Sequence, residues 1–84
     1  MKITKKMVKK SEGFVHKIWD VVDAKNEGKE VQGHTQIECT MTLINMDGHV
    51  VTDTVKFVRY DGMIFTEKRE WISNELTPII GIQF

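Results

Sequence analysis

Two copies of one turn signal, an Asp-Gly pair, flank a single alternating stretch of this 84-residue chain. The turns occupy residues 45–48 and 59–62, and the stretch between them, residues 49–59, is HVVTDTVKFVR. An Asp-Gly pair between alternating apolar runs is a strong short-range signal for a β-hairpin. A stretch with a hairpin at each end is the middle of three antiparallel strands, so these turns constrain the fold more than any other feature.

The strand before the first turn also alternates between apolar and polar residues. A tight two-residue turn at Asp47 and Gly48 would place its apolar residues opposite the wrong face of the next strand. A three-residue loop with a left-handed Gly48 corrects this mismatch. The predicted pairs are Leu43 with Val51, Cys39 with Val55, and Ile37 with Phe57.

The same loop at residues 59–62 predicts how the third strand pairs with the middle one. The predicted pairs are Phe57 with Phe65, Val55 with Glu67, and Asp53 with Arg69. Asp53, Arg69 and Glu67 then form a polar cluster on a mostly apolar face, with Met41 opposite Asp53. This cluster is either an ion pair at the end of the sheet or a polar anchor at the rim of a binding surface. Because eleven extended residues exceed the diameter of so small a domain, the strand should bend, and residues 52–54 are the expected place.

Residues 14–25, FVHKIWDVVDAK, have the apolar periodicity of an amphipathic helix. Ser11 is a suitable N-cap and residues 26–28 contain the stop signal. We therefore predict a basic N-terminal arm over residues 1–10 and a single α+β domain over residues 11–84. A longer helix that begins near residue 3 is the alternative, because Ile3 and Met7 continue the period and Gly13 costs only about 1 kcal/mol.

The predicted fold class is α+β, with one N-terminal amphipathic helix packed on a curved antiparallel β-meander of three to four strands. Residues 79–84, which follow Pro78, are the candidate fourth strand. Its apolar alternation is typical of a core strand, although an edge strand could also pair with the sheet of a partner.

A second set of apolar residues has the parity opposite to the predicted core. Val58, Tyr60 and Ile64 belong to this set, together with Ile44 and Val50. Either the terminal strand and Trp71 cover them, or they form an exposed patch for a protein partner. The candidate partner-binding residues are Tyr60, Ile64, Val58, Trp71, Asp53 and Arg69.

The sequence offers little for catalysis or for a metal. No pair among its three histidines and one cysteine has the short spacing of a chelating motif, so we expect no metal and no cofactor. Cys39 has the parity of a packed core residue and no nearby cation in sequence that would activate its thiol. The absence of a signal peptide, of a membrane-spanning segment and of paired cysteines favours a cytoplasmic protein that contacts no membrane.

The formal net charge of zero results from two unequal regions. Residues 1–17 contain six lysines and one glutamate, a net charge of +5, whereas residues 18–84 contain six basic and eleven acidic residues, a net charge of −5. The basic arm is either a solvated tail or a site for the phosphate backbone of a nucleic acid. Its candidate nucleic-acid-binding residues are Lys2, Lys5, Lys6, Lys9 and Lys10.

These observations favour a small non-enzymatic protein-binding module, an adaptor or inhibitor that occludes a surface of a larger partner. Accessory proteins of viruses and mobile elements are often of this size. The alternative is a sequence-nonspecific nucleic-acid-binding protein that uses the lysine-rich arm, which contains neither arginine nor an aromatic residue to read bases. A third hypothesis is an enzyme subunit whose site is completed in a homo-oligomer.

Overall fold

The computed structural model describes residues 2–84, in which one helix packs on an open five-stranded antiparallel sheet. The strand order is β4-β3-β2-β1-β5. The predicted α+β class is confirmed, with five strands where three to four were expected, because a two-residue strand adds an edge beside β3. The elements are α1 (Lys5–Lys25), β1 (His34–Ile44), β2 (Val50–Arg59), β3 (Ile64–Thr66), β4 (Glu70–Trp71) and β5 (Ile79–Gln83).

Helix α1 begins earlier than the sequence analysis predicted. Thr4 is its N-cap, and the Thr4 hydroxyl accepts a hydrogen bond from the backbone N–H of Met7. The prediction of a loose arm is therefore wrong for residues 5–10, while Met1 lies outside the described residues. The physical reason is that the apolar stripe continues through Met7 and Val8, which are half-buried, so the longer helix gains packing that offsets the cost of Gly13.

Ser11 is a buried residue within α1 and not its N-cap. Its Oγ accepts a hydrogen bond of 2.7 Å from the backbone N–H of Ile79 and donates one to Oδ1 of Asn74. A small polar side chain on the apolar face of the helix thus satisfies a backbone donor at the start of β5. These contacts join α1 to a part of the chain that lies more than sixty residues away in sequence.

The two Asp-Gly turns have the predicted geometry. Gly48 and Gly62 both adopt positive φ angles, 82° and 91°, and their backbone N–H groups donate to the carbonyls of Asn45 and Arg59. The side chain of Asn45 also accepts two backbone N–H bonds within its turn. The predicted Leu43–Val51, Cys39–Val55 and Phe57–Phe65 pairs are all observed.

Near Lys56 an irregularity shifts the pairing of β2 with each of its neighbours, β1 and β3, by one residue. Gln36, and not Ile37, lies opposite Phe57, and a matching shift separates the Val55 and Phe57 pairs with β3. Val55 and Val58 are both fully buried although three positions separate them, so the alternation in β2 reverses between them. The bend expected at residues 52–54 is misplaced, because pairing with β1 is regular there.

The core lies between α1 and one face of the sheet. Helix α1 packs mainly on β5 and β1, and residues 72–78 cross from the β4 edge to the β5 edge. Thr77 and Pro78 of this crossover are buried, and Trp71 donates its indole N–H to the Thr77 carbonyl at 2.8 Å. The core residues are Ile18, Val22, Ile37, Cys39, Met41, Leu43, Val55, Val58, Ile64, Trp71 and Ile79.

Replacing Ser11 with alanine should destabilise the protein, because the buried N–H of Ile79 would lose its acceptor. We expect the free energy of unfolding to fall by about 1–3 kcal/mol, as measured by urea denaturation. Glu12→Ala is the matched control, since Glu12 is the next residue of α1 and is exposed; it should change stability by less than about 0.5 kcal/mol. A Ser11→Ala protein as stable as the wild type would contradict this role for Ser11.

Candidate functional site: an open strand edge beside the helix

The two sides of β1 differ in how far they are paired. On one side β1 pairs with β2 from His34 to Ile44. On the other side it pairs with β5 only from Thr40 to Leu43, and the last pair is Thr40 with Gln83. Within residues 2–84, residues 34–39 of β1 therefore have no strand on their second side. An unpaired edge of this kind is a template for pairing with another chain.

A groove of about 820 Å³ borders this open edge. The last turns of α1, the end of β5 and the residue after it contribute to the lining of the groove. Residues 36–40 of β1 and 54–57 of β2 form the rest of it. The helix contributes Val21 and Lys25, and the terminal segment contributes Gln83 and Phe84.

Backbone groups of β1 face the groove at alternate residues. The N–H of Ile44 donates to the Pro78 carbonyl, toward the β5 side, and residues two apart in a strand direct their backbone groups to the same side. The Gln36 carbonyl points to that side as well, because it accepts a hydrogen bond of 2.8 Å from Nζ of Lys25. Glu38 lies between these positions, and a continued alternation predicts that its N–H and C=O also face the open edge, although the register of β1 with β2 shifts between Gln36 and Cys39.

Cys39 lies in the wall of the groove and is only 5% exposed. Burial raises the pKa of its thiol above the usual value. The thiol is therefore protonated at neutral pH, and protonated thiols are weak nucleophiles. Cys39 contributes packing to this site and no activated sulfur.

The sheet face opposite α1 carries an aromatic cluster that the sequence analysis missed. The rings of Phe57 and Phe65 stack with centroids 4.6 Å apart. His34 packs against Phe57 at 4.8 Å, and the guanidinium of Arg59 lies 5.1 Å from the Phe65 centroid. The one available signal was the adjacent pair Phe57 and Val58, because two consecutive apolar residues cannot both face the core of a regular strand.

Arg59 is also held by the turn that follows it. It forms an ion pair with Asp61 at 2.7 Å, and its Nε donates to the same carboxylate. The hydrogen bond from Arg59 lowers the pKa of the Asp61 carboxyl, while it raises the pKa of the Arg59 guanidinium. The turn thus fixes the guanidinium over the aromatic cluster and next to exposed Tyr60.

The outward parity predicted for Val58 and Ile64 is wrong. Val58 and Ile64 are fully buried, because the irregularity near Lys56 turns them toward the core. Trp71 pairs with Ile64 and is 6% exposed, so it also belongs to the core. Two members of the predicted outward set are exposed: Tyr60, with 65% of its surface exposed in the turn between β2 and β3, and Val50, with 47% exposed at the start of β2.

The predicted contact between Asp53 and Arg69 is present, but in a different setting. Nε of Arg69 lies 2.6 Å from Oδ2 of Asp53, which is buried opposite Met41 within the regular part of the sheet. Oδ1 of Asp53 has no hydrogen-bond partner within residues 2–84. Thr66, and not Glu67, lies opposite Val55, and its hydroxyl donates to Asp53.

Glu67 therefore does not belong to this cluster. Its side chain instead forms an exposed ion pair of 2.8 Å with Lys56. The hydrogen bond from Lys56 lowers the pKa of the Glu67 carboxyl.

The lysines assigned to a loose arm are placed largely on the helix. Lys5, Lys6, Lys9 and Lys10 are exposed residues of α1, and Lys2 precedes its cap. Among residues 2–84, no group of three His, Cys, Asp or Glu side chains is arranged to hold a metal ion. The one helix in the described part of the chain is not long and apolar enough to span a membrane.

The fold and site define a single-helix, open antiparallel sheet protein with an unpaired edge beside a groove. Comparison of the chain with protein-family models, with curated proteins and with solved structures finds no match.

The buried ion pair leads to a prediction for stability. Arg69→Met should lower the free energy of unfolding by about 3–5 kcal/mol, because it leaves the Asp53 carboxylate buried without a countercharge. The double variant Asp53→Leu/Arg69→Met should recover most of this loss, since no charge is then buried. Guanidinium denaturation of the single and double variants measures both values. Equal destabilisation in the two variants would show that packing, and not charge, accounts for the effect.

Proposed function

We propose that this chain is a small protein-binding module that receives an extended segment of a partner protein along the open edge of β1. The carrying observation is that no strand of residues 2–84 pairs with residues 34–39 on the side where β5 covers residues 40–43. A segment bound there would continue the line of β5 and hydrogen-bond with backbone groups of Gln36 and Glu38. Strand addition of this kind is a common mode of peptide recognition.

The side chains around the edge define which segment fits. Val21 and Ile37 line the helix side of the groove, so a residue that points there should be apolar. Gln36, Glu38 and Thr40 lie on the opposite face, where the next residue of the segment should be polar. The expected ligand is thus a strand of about five or six residues with alternating apolar and polar side chains.

Lys25 should influence which partner segments bind to the edge. In the free protein its ammonium donates a hydrogen bond to the Gln36 carbonyl. A bound strand would replace this hydrogen bond with one from a backbone N–H. The displaced ammonium then becomes available to a carboxylate on the partner. Hydrogen bonds to the main chain would contribute affinity, and this charge would favour an acidic residue in the partner segment.

Binding of this type makes the module an adaptor or inhibitor, because a captured segment is no longer accessible to other proteins. The aromatic cluster supports a larger contact. His34 lies on the open edge itself and packs against Phe57 of the neighbouring strand β2. Arg59 and Tyr60 extend this surface away from the edge. Aromatic and arginine side chains are enriched among the residues that dominate binding energy at protein interfaces.

A proline at position 38 tests whether the main chain of the open edge binds the partner. Glu38→Pro removes one N–H that faces the groove, and proline is tolerated on an unpaired strand edge. We expect it to reduce affinity for the partner by about tenfold or more, since each lost hydrogen bond costs about 1–1.5 kcal/mol and the ring obstructs pairing. Affinity capture from cell lysate after nuclease treatment, read by mass spectrometry, would identify the partner, and titration calorimetry would measure the change.

Glu38→Ala is the matched control, because it removes the same side chain but keeps the N–H. It should bind like the wild type within about threefold, and all three proteins should unfold at similar temperatures. Hydrogen exchange gives an independent test, since the amides of Gln36 and Glu38 should exchange rapidly in the free protein and slowly in the complex. Equal binding by the proline and alanine variants would refute strand addition.

A further inference from the structure

One side of α1 carries a regular array of lysines, which we call the lysine face. Lys5, Lys9 and Lys17 lie at multiples of four residues, so they follow one another along the helix. Lys6 and Lys10 form a parallel row beside them. All five are exposed, and together they cover about 18 Å of helix at 1.5 Å per residue.

The cations of the lysine face differ from those of the sheet in their partners. Lys56, Arg59 and Arg69 each form an ion pair with a carboxylate of the sheet or its turns. Within residues 2–84 no lysine of the lysine face forms an ion pair. Nζ of Lys17 lies over the Phe14 ring, 5.9 Å from its centroid. The positive charge on this face is therefore available to an external anion.

The stability of the helix does not account for this arrangement. Like charges four residues apart, as in Lys5 with Lys9 and Lys6 with Lys10, repel each other in a helix. The first turn contains no acidic residue, although acidic residues are favoured there. Gly13 lies in the row between Lys9 and Lys17, where an added Cβ would meet nothing within 4 Å. The packing of this chain thus does not require a glycine, which weakens a helix but permits close approach of a partner.

We infer that the lysine face binds the phosphate backbone of a nucleic acid, independently of sequence. Evenly spaced point charges match a polymer of evenly spaced phosphates, and five lysines could neutralise about five of them. The face contains no arginine for bidentate reading of bases and no aromatic ring for stacking. Contact ends at Lys17, because the turn that follows carries Asp20 and Asp23.

Two other anionic partners fit the same face less well. A helix that binds a membrane surface inserts its apolar side into the lipid, whereas Ile18 and Val22 of α1 are buried in the core of this protein. An acidic protein surface usually presents apolar or aromatic contacts beside its charges, whereas the exposed neighbours of the lysines on this side of α1 are Glu12, Gly13 and His16, and the Phe14 ring adjoins only Lys17. A repeating polyanion needs nothing more than the charges.

Fluorescence anisotropy with labelled 20-base-pair DNA and RNA duplexes tests the inference. With five phosphate contacts, affinity should fall roughly 500-fold between 50 and 200 mM salt, a logarithmic slope near −4.5 for DNA. Lys5→Gln/Lys9→Gln should reduce the slope to about −2.7 and weaken binding roughly 200-fold at 50 mM salt. The DNA and RNA arms show which duplex is preferred.

Lys29→Gln/Lys68→Gln is the matched control, since it removes the same charge from two exposed lysines outside α1. It should leave the slope unchanged. Failure of both duplexes to bind at 50 mM salt would overturn the inference, as would equal effects of the two double variants. Binding to phosphatidylserine vesicles or polyglutamate, but to neither duplex, would also overturn it. Glu38→Pro should bind duplexes normally, so this result and that for the strand edge are distinguishable.

Discussion

A single helix can cover only part of a five-stranded sheet, and the rest of this structure depends on that limit. A helix is about 10 Å wide and strands lie about 4.8 Å apart, so α1 covers about two strands. These are β1 and β5, and the crossover of residues 72–78 covers the remaining inner face with the help of Trp71. Within residues 2–84 the same limit leaves no second helix on the opposite face of the sheet. The aromatic cluster lies on that uncovered face.

The turns of this protein could be predicted from sequence, because their chemistry is local. Asn45 and Gly48 specify the loop through a side-chain cap and a positive φ angle, and the register next to the turn follows. The irregularity near Lys56 is not local. Residues 55–58 satisfy two alternations equally well, and only contact with β3 and the core selects the one that buries Val58. The sequence pattern therefore predicts Val58 and Ile64 on the outer face, whereas both face the core.

The candidate site was even less accessible to sequence reasoning. An open edge exists because β5 pairs with only part of β1, and the length of a strand partner is a tertiary property. The contact between Asp53 and Arg69 was found from register, yet its burial was not, since the sequence does not show which residues cover it. For the helix start, both signals were present. Ile3 and Met7 favoured the longer helix because they continue its apolar period, and Ser11 favoured the shorter one because it is a suitable N-cap.

The bonds of Ser11 also set the order in which this protein can fold during synthesis. Both hairpins of the sheet use contacts that are close in sequence, so they can form as soon as residues 34–66 leave the ribosome. The partners of Ser11, Asn74 and Ile79, emerge last among the described elements. Until then α1 can pack only on β1, and the part of its apolar stripe that contacts β5 stays exposed. Exposed apolar surface of this kind is what makes partly folded chains prone to aggregate.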